Sequence, residues 1–353
     1  MKRIYFLDNL RWTTVILVII YHVFYIFNCS DVPSNFTVKG IPCLDAFLLF
    51  VYPWFMILMF AIAGCSSRYA LQKRSRKEFI KDRNQRIFIP CIAGMFAYGW
   101  IGGYIGAQYS ADAESLPKAI QILIIILSGT GPLWFGQLLF VICLILMLIR
   151  KLDKKQKLLA LGEKANLPVL ILLMIPMWLS SYILIMPMVT IYRLGIYGLA
   201  FMLGYYVLSH ERVQERLAKS AVCLIIPAII LGVIITTLYY GQNYAELSFL
   251  QKPLINAYAW LMTIAIFGIG KKYFNFQNQF TAFMTSRSQS YYLLHYTFVV
   301  LLGWFCIEKL TSLSFGMYYI IIIVGTAILL PQVTELLLRI PILNRMLLGI
   351  VKK

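Results

Sequence analysis

Acidic residues are scarce in this sequence, 14 in 353 positions, and histidines scarcer still at three. Charged residues of both signs make up 13%, about half the share usual in a soluble domain. So little charge cannot cover the surface of a water-soluble globule, and that class is excluded. No long polar block interrupts the apolar segments, so no soluble appendage is expected and residues 1–353 read as one membrane domain. The seven cysteines (29, 43, 65, 91, 143, 223 and 306) lack metal-ligand spacing, so no metal site is expected. Most fall inside apolar segments, where cysteine acts as a small hydrophobe. Cys29 and Cys43 share one expected outer loop, where spacing allows but does not require a disulfide. Low-complexity tracts and internal repeats are absent as well.

What the chain has instead is apolar sequence, 61% of it, in recurring segments of the roughly 17–25 residues that cross a bilayer. The net charge of +18 sits in short clusters between these segments. Such clusters orient membrane helices rather than bind nucleic acid. The basic start "MKRIYFLDNLRW" before an apolar run resembles a signal peptide, but no small-x-small cleavage pattern follows in "IFNCSDVPSNF". The first run is therefore expected to remain as a helix.

Charge then orders the spans. Lys2, Arg3 and Arg11 put the N-terminus in the cytoplasm, and "SSRYALQKRSRKEFIKDRNQR" is the most basic cytoplasmic loop. Asp112 and Glu114 mark an outer loop. The run 118–128 is too short to span and ends in "SGTGP", so it reads as an interfacial or re-entrant helix. Ten transmembrane helices result, at about 10–28, 43–65, 87–107, 131–149, 167–186, 193–208, 220–240, 253–270, 289–307 and 317–338. Lys352 and Lys353 leave the C-terminus inside. The expected fold class is all-α integral membrane protein with both termini cytoplasmic.

The first span carries unusual cargo. In "DNLRWTTVILVIIYH" an Arg precedes a His by eleven residues, which on an α-helix is about 16 Å of rise and only some 20° off one face. Asp8, Arg11 and His22 thus share a stripe. Ionisable side chains at such depth normally face a protein interior or a cavity. The plain alternatives are an interfacial anchor for Arg11 and an interhelical hydrogen bond for His22. His210, in "LSHERVQERL", reads as a solvated loop histidine, and Glu246 as ordinary outer surface.

With these residues the chain resembles the acyltransferase-3 family of membrane proteins. "YFLDNLRWTTVILVIIYH" is similar to the family's first helix, "DRNQRIFIP" to its R-x-x-R-[IL]-x-x-P element, "GPLWFGQLLF" to its Leu-Trp-Phe element and "SYYLLHYTFV" to its Tyr-x-x-His segment. These matches cover nearly the whole chain in the family's order. One departure is Pro132, where the family often has His before Leu-Trp-Phe.

The resemblance implies transfer of an acyl group, usually acetyl, from cytoplasmic acyl-CoA to a hydroxyl on an outer-face acceptor such as a glycan or lipid-linked sugar, in a bacterial inner membrane. His22 would be general base or transient acyl carrier, with Asp8 fixing Arg11. Arg83 and Arg86 would hold coenzyme A phosphates, which suit the planar arginine fork; Tyr292 and His295 would line the donor side. Trp134 is a candidate acceptor contact, with an interfacial belt as its alternative. His295 is expected near the inner end of its helix. A proton-coupled transporter or flippase is the competing class, disfavoured by the missing repeats.

Overall fold

The computed structural model describes residues 4–109, 117–186 and 192–350. The expectations placed on Lys2, Arg3, Asp112, Glu114, Lys352 and Lys353 lie outside these. The described chain is helical throughout, with one isolated antiparallel bridge, Ile185 to Arg193. Its helices are α1 (Tyr5–Tyr25), α2 (Asp45–Leu71), α3 (Arg76–Gln108), α4 (Lys118–Ser128), α5 (Gly131–Leu152), α6 (Lys157–Glu163), α7 (Leu167–Ser180) and α8 (Leu194–Leu208). There follow α9 (Glu211–Lys219), α10 (Ala221–Tyr239), α11 (Pro253–Tyr273), α12 (Gln279–Lys309), α13 (Phe315–Arg339) and α14 (Pro341–Leu347).

Eight of these, α1, α2, α3, α5, α10, α11, α12 and α13, are long and apolar enough to cross a membrane. The expected fifth span holds α7, which forms with α6, from the expected basic loop, a pair bent by 116° at their junction; the sixth is the shorter α8. A new helix starts here for a local reason: the Asn166 side chain caps α7 by accepting from the Val169 N–H, and Pro168 follows in the first turn, a strong start signal. The short α4 forms as expected. It packs closely on α3, where a Cβ at Gly103 would lie 2.0 Å from the Ile125 carbonyl oxygen.

Helix α12 begins at Gln279, ten residues before the expected start at 289. The stretch "QFTAFMTSRS" is too polar to read as membrane span, but nothing in it breaks a helix. Along α10 the residues Val222, Ile226, Ile229, Ile230, Val233 and Leu238 are exposed. Such a stripe would be a liability in water and is ordinary against lipid.

The chain divides into two compact units. The first, within 1–14, 49–81 and 141–285, buries Trp260, Tyr258 and Tyr244. Their polar tips are satisfied where shown: Trp260 Nε1 donates to the Leu170 carbonyl at 2.7 Å and the Tyr258 hydroxyl to that of Phe50 at 2.7 Å. The second unit, within 15–48, 82–140 and 286–353, has a core of Val23, Ile26, Phe27, Phe36, Val299, Val300 and Ile322. Cys29 and Cys43 are both free thiols. Burial, then the Asp45 carboxylate, pushes the Cys29 thiol up.

His210 departs from its expectation. It is buried, and its Nε2 lies 2.8 Å from Arg68 Nη1, beside a Tyr69 hydroxyl that donates to the Ser209 carbonyl. The wide π-turn Gly204–Leu208 ends α8, and the residues after it pack against α2. Because arginine only donates, His210 Nε2 is the acceptor.

Candidate active site

In the second unit His22, on α1, meets His295, on α12. His22 Nδ1 lies 2.8 Å from the Val18 carbonyl oxygen and 3.2 Å from His295 Nε2. His295 Nδ1 lies 2.7 Å from the Tyr292 carbonyl oxygen and 3.2 Å from that of Tyr291. Carbonyl oxygens only accept, so these partners assign both tautomers. His295 carries its hydrogen on Nδ1 and presents a lone pair at Nε2. His22 also carries its hydrogen on Nδ1, shared between Val18 and His295, which leaves His22 Nε2 as a lone pair that no described residue engages. His295 is fully buried, whereas His22 keeps partial exposure.

The early start of α12 explains this meeting. His295 sits mid-helix rather than in the first two turns, and so lies level with His22 instead of near the inner end. Sequence reading missed the aromatic wall around the pair. Tyr296 packs on His22 with ring centres 4.9 Å apart, and its hydroxyl donates to Asn35 Oδ1. Asn35 Nδ2 in turn donates to the Gly102 carbonyl at 2.7 Å. Asn35 thereby ties the loop after α1 to α3 and α12. Nothing in "PSNF" signals that role.

Tyr292 donates its hydroxyl to the Pro132 carbonyl, and its ring lies 5.5 Å from that of Phe135. At the position where the family often has His, this chain thus uses a backbone oxygen. Trp134 is buried in the first turn after this element.

Arg83 and Arg86 flank the start of a π-turn, Asn84–Phe88, which shifts the helical phase that would have put them on one face. Pro90 lies just beyond it, and the wide turn relieves the clash proline makes in a regular helix. Arg86 pairs with Asp82 at 2.8 Å. Its carbonyl receives the Gln289 side chain and packs on Gly349 (φ +66°), where a Cβ would lie 2.3 Å from that oxygen.

Asp8 and Arg11 belong to the first unit. Their ion pair is 3.3 Å long, and Arg11 Nη2 also donates to Ser66 Oγ at 2.9 Å. Beside them Asn9, unremarked in the sequence, donates to the Phe274 and Phe276 carbonyls at 2.7 and 2.8 Å.

The eight long apolar helices define a multi-pass membrane protein, and two of them bring a pair of histidines together. The chain matches the family model described as acyltransferase domain, the acyltransferase-3 family, over residues 4–331, and it belongs to that family. It is a membrane acyltransferase. No curated protein and no solved structure matches it.

Proposed function

We propose that the enzyme moves an acyl group, acetyl by preference, from cytoplasmic acyl-CoA to a hydroxyl of an extracytoplasmic acceptor such as a cell-surface glycan or lipid-linked sugar. The membrane is a bacterial inner membrane, crossed ten times with both termini in the cytoplasm. The observation that carries the reading is the His22–His295 pair, because it leaves one imidazole nitrogen, His22 Nε2, with a lone pair and a partly open approach.

In this reading the acceptor hydroxyl gives its proton to His22 Nε2 as its oxygen attacks the thioester carbonyl. The C–S bond breaks, and the departing thiolate takes the proton back. While His22 is an imidazolium, its Nδ1–H points at the His295 lone pair, a charge-assisted hydrogen bond. The second route starts from the same lone pair: Nε2 attacks the thioester carbonyl, the C–S bond breaks to release the thiolate, and the acceptor hydroxyl then takes the acyl group from the imidazole, its proton passing to the thiolate. Arg83 and Arg86 take coenzyme A phosphates. Arg11, held by Asp8 in the first unit, is a separate candidate for a donor phosphate. Tyr292 holds the Pro132 turn, and Trp134 faces the acceptor.

The test is acetyl-CoA hydrolysis or transfer by purified protein. His22→Ala is expected to lose at least about 100-fold in kcat, the usual scale of general-base catalysis. Arg86→Ala is expected to raise KM for the donor. Full turnover by folded His22→Ala refutes the site. A folded wild type that neither binds nor cleaves acetyl-CoA refutes the donor class.

A further inference from the structure

Arg193 is the most anomalous charge in the first unit. It is 4% exposed, and buried arginines are ordinarily paired with carboxylates. This one is not: no ion pair among the described residues involves it. Tyr197 and Tyr52 lie within its electrostatic range, and neither carries a charge at neutral pH. Nη2 donates to the Tyr197 hydroxyl at 2.8 Å, and the guanidinium carbon stands 5.0 Å from the centre of that ring. Nε is buried and has no partner.

Two further features set the same place apart. Arg193 is the N-cap of α8, whose first intrahelical bond runs from the Tyr197 N–H to the Arg193 carbonyl. A cationic residue therefore stands at the positive end of the helix dipole, the opposite of the usual arrangement. The charge pattern of the sequence also assigns this end of α8 to the outer face, where basic residues are disfavoured. Helix N-termini that face a guanidinium and hydroxyls are suited to an oxyanion. Phe60 stacks on Tyr197 at 4.8 Å between ring centres, and Tyr244 lies 5.0 Å from Tyr52, so aromatic rings wall the site.

We propose that Arg193, the start of α8, Tyr52 and Tyr197 form a binding site for an oxyanion, a phosphate or carboxylate presented at the outer face. The chemistry is shared by an anionic lipid headgroup of the outer leaflet and by a soluble acidic group. The outer placement rests on the topology proposed above; the binding site itself does not depend on acyl transfer.

The experiment is thermal unfolding of detergent-purified protein, titrated with a short-chain phosphatidylglycerol, with the matching phosphatidylcholine, and with inorganic phosphate and glucuronate. Phosphatidylglycerol is expected to raise the wild-type transition in a saturable way, and Arg193→Gln to lose that response. A rise with phosphatidylglycerol alone assigns a lipid. A rise with phosphate or glucuronate as well assigns a soluble oxyanion. Without additives, Arg193→Gln is expected to unfold no earlier than wild type, since it removes an uncompensated buried charge. A merely structural arginine predicts the reverse. If Arg193→Gln fails to fold, Tyr52→Phe takes its place, with a weakened but measurable response expected. Equal responses of variant and wild type, or no anion response in wild type, overturn the proposal. Acetyl-CoA turnover, read on the same samples, separates this failure from failure of the acyltransfer reading.

Discussion

His295 offers the sharpest test of the site, because two substitutions divide its two nitrogens. Asparagine places an N–H where His295 Nδ1 meets the Tyr292 carbonyl, but leaves nothing at the position of Nε2. Glutamine places a carbonyl oxygen within reach of that position and so can accept from His22 Nδ1–H. The quantity at stake is the gain in that one hydrogen bond when His22 becomes charged. A bond to a neutral group contributes about 0.5–1.5 kcal/mol and one to a charged group about 1.5–3. The differential is then about 1 to 1.5 kcal/mol, or roughly 5- to 13-fold in kcat. Acetyl-CoA turnover by the purified variants, with KM fitted separately, reads it. His295→Asn is expected to fall by that factor with KM for the donor unchanged, and His295→Gln to recover most of it. Equal losses in the two variants, or an unaltered kcat in folded His295→Asn, would refute the tautomer assignment and with it the support His295 lends to His22.

Three other outcomes can be checked. Asn9→Ala leaves the Phe274 and Phe276 carbonyls without the side-chain donor and is expected to lower stability by about 1–3 kcal/mol, read as a lower unfolding temperature in detergent. Gly349→Ala meets both a positive φ and the Arg86 carbonyl; at least about 1–2 kcal/mol of conformational cost should free the segment after α14, seen as faster limited proteolysis there. His210 has its pKa lowered by burial and then by Arg68. Its neutral form is favoured in the folded state, so its contribution is complete above the unfolded value near about 6.5 and is lost as pH falls below it. His210→Gln should flatten the decline of melting temperature below that pH, and an unchanged slope would refute the buried acceptor role.

Part of the site was legible because its signals are local. The apolar windows and the spacing of Asp8, Arg11 and His22 along one helix depend on neighbours within a few turns. The Asp8–Arg11 pair forms as the i, i+3 spacing suggests. The break between α6 and α7 was not read from the sequence: Asn166 and Pro168 start a new helix there, but the 116° angle depends on packing. His210 was misread because loop position and polarity suggest solvent, while the side chain that covers it, Arg68, lies 142 residues away.

By itself the sequence determined that this protein is helical, spans a membrane many times and belongs with the acyltransferases. Hydropathy and motif order act over short lengths, and each segment satisfies its own backbone hydrogen bonds. Tertiary structure decided which polar groups meet. The contact between His22 and His295 joins residues 273 apart, and it exists because α12 begins early enough to carry His295 to the level of His22. The same holds for Asn35 with Tyr296 and for the uncompensated Arg193. A side chain's partners across such distances are set by helix packing, which no local window of sequence contains.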